Sequence, residues 1–411
     1  MISKEEPISQ SLYSFQAALK ENGEMLSEFI RQNYISKWQS DTLYHVSAIR
    51  TTFVNAMHNF LTDYGLFNLE RVSMSPVTDP LAHDVEHSPT ISYKGHDYKA
   101  THSMIYSKFL ACLNPKFKGI FVDSPNIRLE IESPTGVQRG KYLADFSQMD
   151  IELRRNSGIS LEEYLNHTDK VKAVLKEDME KALAFFEQLI IYSITAVAEK
   201  NEENLKALGV AVEVPKSHFP RFRKDQAVAK YGSSGFESKL GQEADSQFFW
   251  VIGLMRENYD LIYPYLKPDG SKIPIADFTS DMIYNYDMCA QSIQRDTGNY
   301  GDVYEISSGA LREWLYEPII ERLIDNKVIS VRPKFIDGEL ENIDELGGYG
   351  PFLMAIAQKK GNGESVFPDT FGGGIGIERT LFALTKGKCV KKVDDVTFFG
   401  KNPDSHPIFL Y

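Results

Sequence analysis

Apolar residues recur at helical spacing near the start of the chain, with Leu12, Phe15, Leu19, Leu26, Phe29 and Ile30 inside residues 8–40. The stretch VSAIRTTFVNAMHNFLTDYG (46–65) predicts a longer amphipathic helix. Gly65 is placed to close it, because glycine readily takes the left-handed conformation after a helix. LFNLERVSMSP then predicts extended chain ending at Pro76, ISYKGHDYKA a hairpin turning at Lys94-Gly95, and SMIYSKFLACL a short helix. GIFVDSPNIRLEIES and YLADFSQMDIELRR predict strands separated by the loop PTGVQRGK. Helical spacing returns over 160–208, most regularly in DMEKALAFFEQLIIYSITAVAEK. Strand patterns follow in SQFFWVIGL, SDMIYNYDM and GDVYEISSG, and helical ones in ALREWLYEPIIERLIDN and GYGPFLMAIAQ. Last comes FGGGIGIERTLFAL (371–384), a strand, a glycine cluster and a helix. Strands and helices do not alternate regularly. The expectation is therefore an α+β fold with an antiparallel sheet rather than a doubly wound parallel one.

Composition narrows this little. The 411 residues are 42% hydrophobic, enough for a substantial core, and the formal net charge of −12 argues against a polyanion partner. Cys112, Cys289 and Cys389 form neither a disulfide framework nor a CxxC pair. The N-terminus lacks the apolar core of a signal peptide, and no apolar run is read as reaching the roughly 18 residues of a membrane helix. The chain is expected to be cytoplasmic, with no membrane partner.

Three clusters carry candidate chemistry. Glycines at 372–374 and 376 suit either a tight strand-to-helix joint or a nucleotide site. Arg379, at the start of the following helix, is placed to reach a phosphate. A dinucleotide fingerprint does not fit, since Arg379 stands where a third small residue is required. On strands, Arg128 and Glu130 share a face, as do Gln148, Asp150 and Glu152. They form either an exposed ion-pair ladder or a floor holding phosphate and amine. Glu305, Ser308 and Arg312 are expected around a strand-to-helix turn, where Glu305 with a hydroxyl suits Mg²⁺ and Arg312 suits a carboxylate. His83, His87, His96 and His102 are read as a solvated loop, Phe248, Phe249 and Trp250 as core, and the charges of 170–185 as a solvated helix face.

In order, these motifs resemble the catalytic domain of class II aminoacyl-tRNA synthetases of the aspartyl/asparaginyl branch. IRTTFVNAMHNFLTDYGLFNLERVSMSP is similar to the first motif, SPNIRLEIES with ADFSQMDIEL to the second, GGGIGIERTLFAL to the third, and PRFRKDQA to a further family segment. SPVTDPL, THSMIYSK, FVDSPNIRLE and EISSGALREW look most like the archaeal-type asparagine synthetase related to asparaginyl-tRNA synthetase.

The resemblance implies a class II antiparallel sheet flanked by helices. It divides the chain into a helical N-terminal extension (1–45) and a catalytic domain (46–411) with a helical insertion at about 158–210. It implies ATP and Mg²⁺ as cofactors, a homodimer built on the first motif, and an AMP-forming ligase that activates aspartate and passes it to ammonia or another amine. The alternatives are an asparaginyl- or aspartyl-tRNA ligase and an inactive amino-acid-sensing paralogue. Residue by residue, it assigns Arg128 to the α-phosphate, Glu130 to adenine, Gly374, Gly376 and Arg379 to ATP, and Glu305 and Ser308 to the metal. Asp79, Ser103, Lys108, Gln148, Asp150 and Arg312 are assigned to aspartate, with Lys108 and Arg312 reading a carboxylate. Arg128, Arg379 and Glu305 are the catalytic set. The family's Arg-His pair is absent from SPTGVQRGK, where Arg139 or Lys141 stands in. About 45 residues precede the first motif, too few for an anticodon-binding barrel, so no tRNA partner is expected.

Overall fold

The structure is a computed structural model that describes residues 8–76, 89–129, 142–255, 259–359 and 365–402. Asp79, Glu130, Arg139, Lys141, His83 and His87 lie outside the described residues.

A nine-stranded sheet organises the chain. Its central strands are Gly119–Ile127, Asp145–Arg154, Thr370–Gly376, Tyr300–Leu311, Asn285–Gln294 and Phe248–Ile252, in that spatial order and all antiparallel. Short strands add in parallel at the two margins, Phe67–Asn68 on Gly119–Ile127 and Arg221–Arg223 on Phe248–Ile252. Antiparallel strands do not need a helical crossover between neighbours, so helical segments can gather on one face. Helix Asp169–Lys200 lies on that back face, bringing Leu175, Phe186 and Ile190 against Trp250, Tyr286 and Met288 in the main core.

Helix Asp41–Asp63 begins one turn before the predicted start. Ser40 caps it by accepting from Leu43 N. Gly65 at φ +91° follows its end, as expected. Its apolar face, with Val46, Ile49, Phe53, Met57 and Leu61, is buried within its own chain, much of it against Asp169–Lys200. These side chains are therefore not available to the homodimer expected on the first motif.

Helix Asp169–Lys200 is also long and apolar enough to cross a membrane, contrary to the sequence reading. Its buried side chains instead join the protein core. Asp178 on it is buried against Arg155 at 3.2 Å, an exception to the solvated face expected there. Helices also occupy Ile8–Glu21, Leu26–Ile30 and Ser36–Trp38, the last two joined by a π-helical turn. Lys94 and Gly95, both at positive φ, turn the predicted hairpin. Phe248, Phe249 and Trp250 are fully buried, as read from the sequence.

Candidate active site

The glycine strand Thr370–Gly376 lies between Asp145–Arg154 and Tyr300–Leu311, and its register builds the site. Gly372 pairs with Glu152 and Ala310, Gly374 with Asp150 and Ser308, and Gly376 with Gln148. Paired residues of antiparallel strands project from the same face. Gln148, Asp150, Glu152 and Ser308 therefore share the front face, away from helix Asp169–Lys200. A Cβ on Gly372 would lie 2.0 Å from Glu152 Oε2, and one on Gly374 would lie 3.0 Å from Asp150 Oδ1. Glycine at these positions lets the neighbouring acidic side chains fold across the strand. At Gly376 the nearest neighbour to such a Cβ is 3.7 Å away, so the backbone there is less covered.

Beneath this surface sits a buried charge cluster. Helix Ile105–Ala111 carries Lys108, whose Nζ donates to Asp150 Oδ1 at 2.8 Å and stands 3.9 Å from Glu152 Oε2. From the other side, Arg312 places Nε 3.4 Å from Glu152 Oε1 and Nη1 3.0 Å from Asp260 Oδ1. Thr370 donates to Glu152 Oε1 at 2.6 Å, and Asn285 to Asp260 Oδ2 at 2.8 Å. All five charged groups are at least 96% buried. Their desolvation is offset only because each charge meets a partner. An exposed ion-pair ladder is thus excluded for Asp150 and Glu152. Lys108 and Arg312 are not bare cations either: both are already held by carboxylates. Lys108 has three donors, and Asp150 accepts its one hydrogen bond among the described residues.

Glu305, Ser308 and Arg312 lie along one strand and its end, not around a strand-to-helix turn. Helix Tyr316–Asp325 starts later than ALREW predicted. Residues three apart project oppositely from a regular strand. Here the register shifts between Met288 and Cys289: Ser308 pairs with Asp287 and Glu305 with Cys289, leaving Ile306 as the extra residue. Asp287 and Cys289 are two apart and share a face, so the irregularity brings Glu305 onto the face of Ser308. Asp287, paired with Ser308, projects from the same face. The set of carboxylates and a hydroxyl fits a hard cation such as Mg²⁺. Among the described residues, no group of three or more His, Cys, Asp or Glu side chains forms a ready-made metal site.

Strand Gly119–Ile127 stops one residue before Arg128, so Arg128 is not on a strand as predicted. Its backbone N–H donates to Ala144 O at 2.8 Å, its Nε donates to His102 O at 3.3 Å, and its guanidinium lies 5.2 Å from the Phe146 ring centre. His102 is buried, contrary to the solvated loop expected. Arg379 lies in the first turn of helix Ile377–Thr385, with Nη1 3.8 Å from Glu305 Oε1 and its guanidinium 5.1 Å from the Tyr142 ring centre. Burial raises the Tyr142 hydroxyl above its usual pKa, so it stays a neutral phenol beside the cation. Ser103 accepts from Ile105 N at 3.2 Å and shapes the start of the Lys108 helix.

The fold thus brings Lys108, Asp150 and Arg312 together, Glu305 with Ser308, and Glu305 with Arg379. Asp260, Asp287 and Tyr142 join these groups without having been singled out for a site, and Glu152 takes its place with Asp150 as the alternation suggested. Alternation along ADFSQMDIEL placed Glu152 on the right face. Nothing local marks Asp260, whose partner Arg312 is 52 positions away.

A mostly antiparallel sheet with helices behind it and a glycine strand running into an arginine-bearing helix matches the fold of class II aminoacyl-tRNA synthetases. Among solved structures, asparaginyl-tRNA synthetase from Pyrococcus horikoshii complexed with asparaginyl-adenylate aligns with TM-score 0.62 and 15% identity, covering 89% of this chain and 70% of that one. Asparaginyl-tRNA synthetase from Entamoeba histolytica aligns with TM-score 0.58 and 16% identity, covering 97% and 72%. In sequence, the relatives fall in the aspartyl/asparaginyl branch. The aspartate–tRNA(Asp) ligase of Pyrococcus furiosus is 32% identical over 150 residues, 36% of this chain and 32% of that protein. The asparagine–tRNA ligase of Thermoplasma acidophilum is 30% identical over 143 residues, 33% and 31%. The matched stretch spans about a third of the length of these curated relatives. No family model matches the chain.

Proposed function

We propose that this chain is an ATP-dependent, AMP-forming ligase that activates aspartate as an aspartyl-adenylate. The observation that carries the reading is the convergence of Lys108 and Arg312 on Glu152, each cation held from behind by a carboxylate. Such backing orients two donors before a substrate arrives, which reduces the ordering cost of binding a second carboxylate. Arg128 and Arg379 then serve the phosphates, where charge develops during attack on the α-phosphorus. A Mg²⁺ held by Glu305 and Ser308 would neutralise phosphate charge there. The same reading sets a boundary at about residue 45, which falls inside the continuous helix Asp41–Asp63, and makes the protein a homodimer, the latter open to light scattering.

The finer proposal is that the β-carboxylate reacts and that ammonia, or another amine, is the acceptor. It rests on the similarity of SPVTDPL, THSMIYSK and EISSGALREW to asparagine synthetases. A second reading, transfer of the α-carboxyl group to tRNA, is favoured by the relatives, which are tRNA ligases. Pyrophosphate exchange with aspartate and with asparagine tests the activation step, and faster exchange with asparagine would refute the substrate. Trapping with hydroxylamine separates the two transfers: β-hydroxamate supports amide formation, and α-hydroxamate alone supports the tRNA ligase.

A further inference from the structure

The N-terminal helical segment and the 398–402 segment meet, and their contacts continue to Arg128. Trp38 Nε1 donates to Phe398 O at 2.8 Å, and its ring meets Phe399 edge-on with centres 5.9 Å apart. Two residues further, Lys401 holds the start of strand Asp145–Arg154 twice. Its carbonyl accepts from Ala144 N at 2.8 Å, and its Nζ donates to Asp145 Oδ2 at 2.7 Å. Ala144 O in turn accepts from Arg128 N at 2.8 Å. One backbone unit, Ala144, thus has its N–H fixed by Lys401 and its carbonyl engaged by Arg128. Phe146, under the Arg128 guanidinium, lies two residues on.

The position of this bridge matters because Arg128 stands just beyond the end of its own strand. Regular pairing ends at Ile127 with Asp145; Arg128 N–H still bonds Ala144 O in the same register, but the return bond is missing because Ala144 N–H goes to Lys401 O. Displacing Ala144 therefore acts on the backbone of Arg128, whose side chain is held separately by His102 O.

We propose that Trp38 and Lys401 are positioning residues for Arg128, and that the N-terminal helices set the affinity of the ATP site through the 398–402 segment. The proposal rests on the reading that Arg128 holds a phosphate, and the test separates the two. Hydrogen exchange of the full-length protein reads the bridge itself. In Trp38→Ala and Lys401→Met, amides in peptides covering 126–129 and 143–148 should exchange faster, while those of 370–376 keep their wild-type rates. Unchanged exchange at 126–129 and 143–148 overturns the proposal. Titration with ATP and Mg²⁺ reads the consequence. Trp38→Phe, which keeps an aromatic ring and loses the N–H, should weaken ATP binding about threefold, as should Lys401→Met, the size of one exposed polar contact. Lys401→Arg should restore it, and aspartate affinity should not move. A lowered melting temperature with unchanged ATP affinity assigns both residues a merely structural role and overturns the proposal. A wild-type protein that binds ATP but catalyses no exchange overturns the proposed function and leaves this inference intact.

Discussion

Arg312 and Glu152 meet across the glycine strand, Nε to Oε1 at 3.4 Å, with both side chains at least 96% buried. Arg312 directly follows one neighbouring strand, and Glu152 lies near the end of the other. The contact exists because Gly372 between them has no side chain.

Gly372→Ala is therefore expected to displace the Glu152 carboxylate and to press on the Ile151 carbonyl, 2.3 Å from the new methyl. Breaking a buried charge pair costs about 3–5 kcal/mol. Urea unfolding that shows wild-type stability would refute the placement of Glu152 over this strand.

Burial decides which ion pairs matter. Lys108→Met leaves Asp150 without its ammonium in a site where both side chains are nearly inaccessible. The expected loss is again about 3–5 kcal/mol. Lys388→Met removes a pair of similar length, 3.0 Å to Asp296, but both partners are mostly exposed. Its loss should stay below about 1 kcal/mol. Equal losses in denaturant titrations would contradict the buried cluster.

Glu305 and Arg379 stand 3.8 Å apart at the open end of the site, outside the core. Glu305→Gln and Arg379→Ala should leave the unfolding midpoint near wild type and lower adenylate formation by about a hundredfold or more, the effect of removing one charge-stabilising group. Pyrophosphate exchange near the wild-type rate in either variant would remove them from the catalytic set.

Glu378, beside Arg379, accepts from Ser147 N at 2.9 Å, and burial raises its carboxyl above the usual carboxylate range. The folded protein then keeps a proton that the unfolded chain releases near about pH 4.3. Its contribution to stability is full below that pH and is lost as pH rises through the folded-state value. Glu378→Gln retains an oxygen for Ser147 and should flatten this decline. An unfolding free energy whose pH dependence matches wild type above about pH 4.3 would show that Glu378 does not titrate in this way.

The elements are largely legible in the sequence. Gly65, the Lys94-Gly95 turn and the alternation along Asp145–Arg154 are local signals, carried by backbone preference and side-chain period within a few residues. They suffice for an α+β chain with an antiparallel sheet. The motif order pointed further, to the class II synthetase fold. The readings that failed are those where neighbours in space outweigh neighbours in sequence. Arg128 was placed on a strand that ends one residue earlier, because the end is set by Ala144 pairing with Lys401. Lys108 and Arg312 are expected to read a substrate carboxylate, and nothing within a turn of either residue shows the protein carboxylates 42 and 52 positions away that already hold them.

Periodicity acts along the chain, so the chemistry-bearing residues and most of the elements that carry them can be read from it. How those residues combine is a matter of packing between distant segments. One extra residue, Ile306, brings Glu305 onto the same face as Ser308, and glycines at 372 and 374 let carboxylates cross to meet cations from other elements. Strand register and the pairing of buried charge depend on side chains from distant segments excluding water together, and no local pattern records that.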